Sequence, residues 1–369
     1  MMTSALPEDI AGQVAALLAN ERKPSPELAQ EVRRLILRVR PQLDKSTLLQ
    51  LLQLLARIHY HLFDYQQALK SLGDAVRHAG KEGMSTEVPA LLLFEGQIHY
   101  SAGAYFRALE VWLKVLEEAS ELADYERCAQ AYVGIGKVYF VFDDFHNARK
   151  FHLLALELAQ SLGNYPLLCE IEINLSADYY RLHEGEAAHE AIASAINLMA
   201  RHRIVNPVWE GEIAAYQGLL LFEAGELDRA EAFLLRAFEI HHRHDSHWGQ
   251  VNDLLALGRL YLARGENGKA SASLKQAAQL QEAGNLASLQ IQIEELLAGL
   301  LVEEGDYAGA LARYKKLQAL QAEQFARDGT SFRISKRNQQ RIKQLEYQLQ
   351  LSKIRLQSPP AAWRDATEV

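Results

Sequence analysis

The sequence predicts an all-α protein: a right-handed α-solenoid of about seven helix-turn-helix repeats, with an N-terminal helical cap and a C-terminal helix. Apolar residues spaced three and four apart indicate helices throughout. An alanine also recurs at intervals of 40, 40, 40, 42, 40 and 40 residues, at Ala68, Ala108, Ala148, Ala188, Ala230, Ala270 and Ala310. Twelve residues before each alanine stands a small residue: Ala56, Gly96, Gly136, Ser176, Gly218, Gly258 or Ala298.

Each repeat carries signals for a turn and for helix starts. Five residues before the alanine, four of the seven repeats have a glycine, which readily takes the left-handed conformation that a turn needs: Gly103, Gly225, Gly265 and Gly305. Capping residues recur where the first helix of a pair should begin, at Asp44, Asp124, Asn164, Asn206 and Ser246. Small residues at two fixed places predict that paired helices approach closely.

The second repeat shows the pattern in its fullest form. Gly96, Gly103, Tyr105, Ala108 and Trp112 supply its small, turn, aromatic, alanine and large apolar positions. In this the chain resembles the tetratricopeptide repeat family over about residues 44–325, although the fourth repeat has Gly185 in the aromatic place. The period is longer than the common repeat of about 34 residues. A longer period implies longer helices, and in this the chain resembles the bacterial regulatory branch of the family, whose members sense peptides or small ligands.

The repeat divides the chain into four segments. Residues 1–43 form the predicted cap, 44–325 the solenoid, 326–357 a basic C-terminal helix and 358–369 a disordered tail. The predicted repeats span 44–80, 84–122, 124–162, 164–202, 206–244, 246–283 and 285–325.

Charge and apolar content give an expectation about where the protein is located. The net charge is −8, and the sequence lacks an apolar run near the ~20 residues that span a bilayer. The first ten residues show no basic-then-apolar signal pattern, so we expect a cytoplasmic protein without membrane contact. Cys128 and Cys169 lie at nearly matching places in successive repeats, which favours helix packing over a disulfide or a metal pair.

The motifs of common enzymes are missing from the sequence. It has no phosphate-binding glycine loop, no nucleophile elbow, no zinc-protease motif and no paired CxxC. We therefore predict a non-catalytic protein without a cofactor. The cluster of His241, His242, His244 and His247 could place two imidazoles one turn apart on a metal ion. The favoured interpretation is the polar end of a second helix running into a loop, so no metal site is predicted.

The concave groove of the solenoid is the predicted binding site. In this fold the first helix of each repeat faces the groove, and its exposed positions here are Arg57, Tyr60, His61, Gln97, Tyr100, Lys137, Phe140, Tyr180, Arg181, Asn252 and Arg259. Cations interleaved with aromatics suit an extended peptide or a partner helix that bears acidic groups. The alternative is that the aromatics pack neighbouring helices and the cations are solvated. The carboxylate clamp of chaperone-binding relatives is not evident, because its position holds Gln53, Leu93 and Val133.

The C-terminal segment differs in charge from the rest of the chain. Residues 331–357 carry seven basic side chains and one acidic side chain, a net of +6, and Ile342, Leu345, Leu349 and Leu356 form a short apolar stripe. The segment could pair with a second copy as a homodimer helix, bind an acidic surface, or be a solvated tail. Sequence-specific nucleic-acid binding is not expected, because no zinc finger or DNA-reading helix-turn-helix accompanies it.

Two functions fit these observations. The first is a protein–protein interaction adaptor or regulator that holds a peptide or protein partner in its groove. The second is a ligand- or peptide-sensing regulatory subunit of a bacterial signalling or transcription-control system. Residues 324–335 and 341–349 resemble the region after the repeats in sensors where a GGDEF diguanylate cyclase domain follows, but the chain contains no GGDEF sequence.

Overall fold

The computed structural model describes residues 8–19, 24–283 and 287–328, and within these ranges the regular structure is entirely helical. Two short 3-10 segments, Arg40–Gln42 and Ser85–Glu87, accompany the α-helices. The α-helices are α1 Glu8–Ala19, α2 Pro26–Val39, α3 Lys45–His61, α4 Tyr65–Lys81, α5 Val88–Ser101, α6 Tyr105–Glu121, α7 Tyr125–Val141, α8 Phe145–Leu162, α9 Tyr165–Arg181, α10 Gly185–His202, α11 Pro207–Glu223, α12 Leu227–Arg243, α13 His247–Ala263, α14 Asn267–Ala283, α15 Ala287–Glu303 and α16 Tyr307–Asp328. This confirms the all-α helical-repeat class.

The described chain forms two compact units, residues 8–162 and 163–328. The first unit contains α1 to α8, and the second contains α9 to α16. From α3 onward, each helix packs most extensively against its partner in the same repeat, whereas α1 and α2 pack mainly on α3. The first helices of successive repeats also contact each other: α5 with α7 in the first unit, and α9 with α11, α11 with α13 and α13 with α15 in the second. We call the side formed by these first helices, with α3, the first-helix face of each unit.

The small residues of the repeat make room for large side chains of the second helix. Gly96 faces Trp112, Gly136 faces His152, Gly218 faces Leu234 and Gly258 faces Leu274. A methyl group on any of these glycines would lie under 3.0 Å from the facing side chain, closer than real contacts allow. Each pair is sixteen residues apart and the facing side chains are buried, so the close approach predicted from the repeat is present.

The turns inside the repeats share one backbone conformation. The residue five before each repeat alanine has a positive φ angle, both where it is glycine and where it is Phe63 (φ 59°), Asp143 (φ 58°) or His183 (φ 59°). Glycine marked only four of these turns in the sequence, but the backbone shape is the same in all seven. The side chain is therefore not what sets the turn.

The predicted capping residues lie at helix starts. Asp44, Asp124, Asn164 and Asn206 each accept a hydrogen bond from a backbone N–H of the first turn. Ser246 occupies the cap position of α13, but its side chain makes no capping hydrogen bond, so that part of the prediction is wrong.

The end of the described chain differs from the prediction. The sequence places the boundary between the solenoid and the C-terminal helix after residue 325, whereas α16 continues to Asp328. The rest of the predicted basic helix, its homodimer contact and the tail lie outside the described residues. None of the described helices is both long enough and apolar enough to cross a membrane.

Candidate functional site

An aromatic ladder runs along the first-helix face of the first unit. Tyr60, Tyr100 and Phe140 occupy the same place in three successive repeats, each half-buried. Tyr60 packs edge-on against Phe94, with ring centroids 5.4 Å apart. Such aromatic pairs contribute stability beyond that expected from the apolar area they bury. The alternative interpretation, that these aromatics pack against neighbouring helices, therefore holds for Tyr60.

Polar groups connect Tyr60 of this ladder to α5 of the next repeat. The Tyr60 hydroxyl lies 3.0 Å from Oγ of Ser101, and Nε2 of Gln97 donates to the same oxygen at 3.2 Å. Ser101 thus brings together two of the predicted site residues. The sequence reading missed it because serine at a helix end carries no distinctive pattern.

The other predicted residues of the first unit flank the ladder. Tyr100 packs against Tyr105 and Trp112, with centroids 5.4 and 5.9 Å away, and Phe140 packs against Phe145 at 5.3 Å. The face also carries two half-buried cations and one exposed imidazole: Arg57, Lys137 and His61.

The predicted residues of the second unit form a different set of contacts. Tyr180 lies edge-on to Tyr216, with centroids 6.2 Å apart, and burial raises the pKa of Tyr216 far above its ordinary value. Arg259 is exposed and donates to Oε1 of Gln292 at 3.1 Å. Asn252 donates to the Trp248 carbonyl of its own helix, and Arg181 is exposed on α9.

Two partly buried glutamates with raised pKa values lie on first helices and were not predicted. Burial raises the pKa of Glu95, which lies 3.9 Å from Nε2 of His99. Burial also raises the pKa of Glu172, whose carboxylate accepts a hydrogen bond of 2.8 Å from Ser194. Charge counting alone gives no signal for such groups, because their burial depends on the neighbouring helices.

The histidine cluster contains a buried, hydrogen-bonded histidine–aspartate pair. Nδ1 of His241 lies 2.6 Å from Oδ2 of Asp253, and both side chains are almost fully buried. Gly211 and Gly249 lie against the imidazole, where a methyl group would come within 3.0 Å of it. Interpreting His241 as part of a polar helix end is therefore wrong, and the two glycines were the signal that could have revealed its burial.

Neither metal ligation nor thiol chemistry emerges from the described residues. No group of three or more histidine, cysteine or acidic side chains is arranged there to hold a metal ion. Cys128 and Cys169 are free and buried. Burial raises the pKa of Cys128 to about 12 and that of Cys169 to about 11, which makes both poor nucleophiles.

Solved structures share this architecture. The apo form of RapI superimposes with a TM-score of 0.62 at 14% identity, covering 74% of this chain and 98% of RapI. The fold is tetratricopeptide-like. The Rap conjugation gene regulator of plasmid pLS20, solved in complex with the Phr* peptide, gives 0.59 at 14% identity and covers 90% of this chain and 100% of its own.

A third tetratricopeptide-like neighbour is a Rap protein complexed with Competence and Sporulation Factor. Its TM-score is 0.55 at 13% identity, covering 86% of this chain and 98% of the Rap chain. No protein-family model matches the sequence, and no curated protein matches it. At these identities the likeness establishes the fold alone.

Proposed function

We propose that this protein is a non-catalytic regulator that binds an extended peptide, or an extended segment of a partner protein, on the first-helix face of the first unit. The aromatic ladder of Tyr60, Tyr100 and Phe140 carries the proposal. Its members recur at intervals of 40 residues, so a ligand that lies along the face meets an aromatic ring at each repeat. An extended peptide is a ligand with a matching linear repeat.

The flanking groups define the expected ligand further. Gln97 and Ser101 place amide and hydroxyl groups beside the ladder, where they suit the polar backbone of a peptide. Arg57 and Lys137 stand one helical turn from ladder members and are half-buried, so their charges are less screened than those of fully exposed residues. A ligand with acidic side chains or a carboxylate end fits them best.

The solved structures with similar folds support a peptide ligand. One of them was solved in complex with the Phr* peptide, and another in complex with Competence and Sporulation Factor. The described residues offer no contrary chemistry, since their buried thiols and their His241–Asp253 pair are enclosed by helices. Binding, with the occupied protein acting on another component, is the function that this surface supports.

A sensing role in gene regulation is the second candidate. It is favoured by one observation, the fold shared with a conjugation gene regulator. The resemblance to sensors with a GGDEF domain concerns residues that lie almost wholly outside those described, and it stays a prediction.

The test is a binding measurement with defined peptides. A fluorescein-labelled library of random heptapeptides is titrated with the full-length protein and read by fluorescence anisotropy, in one version with two fixed glutamates and in another with glutamines in their place. We expect binding to the glutamate version, and a loss of at least about tenfold, or about 1.4 kcal/mol, in Arg57→Glu/Lys137→Glu.

The matched control reverses two exposed charges on second helices of the same unit. Lys70→Glu/Lys114→Glu changes the net charge equally, and both residues are exposed on α4 and α6. This control should bind like the wild type. Equal weakening in both variants would indicate nonspecific attraction, and equal binding of the two libraries would contradict the acidic ligand.

A further inference from the structure

The outer side of α2 carries four exposed arginines around one exposed leucine. The arginines are Arg33, Arg34, Arg38 and Arg40, and 73% of the surface of Leu37 is exposed. We call these five residues the arginine face. Residues three and four apart are neighbours on a helix surface, so Arg33, Leu37 and Arg40 follow one line along α2. Arg34 and Arg38 follow the line beside it.

The opposite side of α2 is already buried. Val32, Leu35, Ile36 and Val39 of this helix belong to the core of the first unit. The arginine face is therefore the solvent side of a helix whose orientation the core fixes. A single exposed leucine is ordinary on a protein surface, but Leu37 stands at the centre of four positive charges.

The charges of the arginine face are not neutralised within the first unit. Their hydrogen-bond acceptors are neutral amides, in the pairs Arg33 with Gln67 at 3.3 Å, Arg34 with Gln30 at 3.2 Å, and Arg38 with Gln13. Within the described ranges, none of the four forms an ion pair with a carboxylate. By contrast, the exposed Arg77, Arg229 and Arg243 each pair with an acidic residue three or four positions away. The arginine face is thus available to carboxylates of a partner.

The layout of the face favours a protein helix as its partner. Guanidinium groups bind carboxylates and phosphates alike, but a nucleic-acid backbone offers no apolar group to cover Leu37. The net charge of −8 of the whole chain also repels a long polyanion, whereas a short acidic segment meets mainly the local positive field. The face extends about 10 Å along the axis of α2, which matches two turns of another helix.

We propose that the arginine face is a docking site for an acidic amphipathic helix of another protein. An apolar residue of that helix contacts Leu37, and acidic residues one turn before and one turn after it pair with the arginines. Exposed charge pairs of this kind mainly set the association rate and its dependence on salt, so the complex weakens as salt is added. The arginine face shares no residue with the aromatic ladder, and its test is independent of the proposed function.

The experiment uses the full-length protein and a designed helical peptide. The peptide is alanine-rich and fluorescein-labelled, and it carries one leucine with two glutamates one turn before it and two glutamates one turn after it. A matched peptide has glutamines in place of the glutamates. Fluorescence anisotropy at low salt should show binding of the glutamate peptide that weakens as sodium chloride is added. No binding of the glutamate peptide, or equal binding of both peptides, would overturn the proposal.

Matched charge variants locate the binding on α2. Arg34→Gln/Arg40→Gln should weaken binding of the glutamate peptide about three- to tenfold, because two exposed charge pairs are lost. Arg107→Gln/Lys114→Gln removes two exposed charges from α6 and should bind like the wild type. Thermal melting of both variants should match that of the wild type, since all four residues are exposed. Equal weakening in the two variants would show that net charge alone attracts the peptide, and would overturn the proposal.

Leu37 distinguishes a protein helix from other anions. Leu37→Ala removes the apolar contact and should weaken binding of the glutamate peptide without changing its dependence on salt. Unchanged peptide affinity in Leu37→Ala would overturn the helix assignment, as would tighter binding of single-stranded DNA than of the peptide. Sedimentation velocity of the protein alone tests the remaining occupant. A dimer that Arg34→Gln/Arg40→Gln dissociates would make a second copy the partner and overturn the proposal.

Discussion

The indole of Trp112 packs directly on the backbone of Gly96, with its Nε1 donating to the Leu93 carbonyl at 3.3 Å. Gly134 of the next repeat lies against the same ring. The Trp112 side chain therefore contacts both the first helix of its own repeat and the first helix of the next repeat. Neither glycine could carry a methyl group without overlapping the indole.

Gly96→Ala should destabilise the protein by about 1–3 kcal/mol, because the added methyl group overlaps the indole and forces the helices apart. Urea unfolding of the full-length chain measures the change. Gly80→Ala is the control: Gly80 also lies in a helix of the first unit but has nothing within 4 Å of the added methyl, and the change should stabilise that helix by up to about 1 kcal/mol. Two variants with the same stability would show that the indole contact is not limiting.

Phe63→Gly should stabilise the first unit by about 1 kcal/mol. Phe63 has a positive φ of 59° and is 69% exposed, so glycine relieves backbone strain and little apolar contact is lost. The reciprocal change, Gly103→Ala, places a Cβ in the same conformation at the next turn and should destabilise by a similar amount. Thermal melting of both variants beside wild type checks the pair, and a lower melting temperature for Phe63→Gly would refute the strain argument.

Asp253→Asn should lower stability most at mildly acidic pH. Burial alone would lower the pKa of His241, but the hydrogen bond and the charge of Asp253, with a contribution from Glu212, raise it above its ordinary value of 6.5. A raised pKa in the folded state means that the stabilisation is fully present below about pH 6.5 and is lost as the pH rises through the folded pKa. Removing one partner of a buried pair costs about 3–5 kcal/mol.

Urea unfolding of wild type and Asp253→Asn from pH 5.5 to 8.5 measures this dependence. The difference between the two proteins should shrink as the pH rises. Asp245→Asn serves as the control, because Asp245 is exposed and asparagine tolerates its positive φ of 53°. A difference that grows with pH would show that His241 is neutral in the folded protein.

Cys128 and Cys169 should resist a thiol reagent in the native protein. Their pKa values of about 12 and about 11 leave almost no thiolate at pH 8, and both side chains are buried. Colorimetric thiol titration should give slow labelling in buffer and rapid labelling of both in urea. Rapid native labelling would mean that the surrounding helices open readily.

Much of the repeat could be predicted from the sequence because its period constrains many positions at once. The packing of Gly96 on Trp112 and of Gly258 on Leu274 follows from small and large residues in a fixed register. The turns at Phe63 and His183 could not be recognised, because phenylalanine and histidine are not typical of a left-handed backbone conformation. The burial of His241 was missed for a related reason. It depends on Gly211 and Gly249, which lie on other helices and are not among the recurring small or turn positions of the repeat.

The candidate site was less predictable than the fold. Periodicity placed Tyr60 and Gln97 on one face, and the structure joins them through Ser101, which the pattern did not single out. Residues such as Asn252 and Arg259 were selected by position only, and their hydrogen bonds to Trp248 and Gln292 depend on local geometry.

The sixteen-residue spacing between each small residue and its facing large side chain has an evolutionary consequence. The volume available at that crossing belongs to the two positions together, as in Gly96 with Trp112 and Gly218 with Leu234. A lineage that enlarges one member must shrink the other, in either order, through a less stable intermediate. Homologous chains should therefore show paired substitutions at this separation, repeat by repeat, even where neither position is conserved.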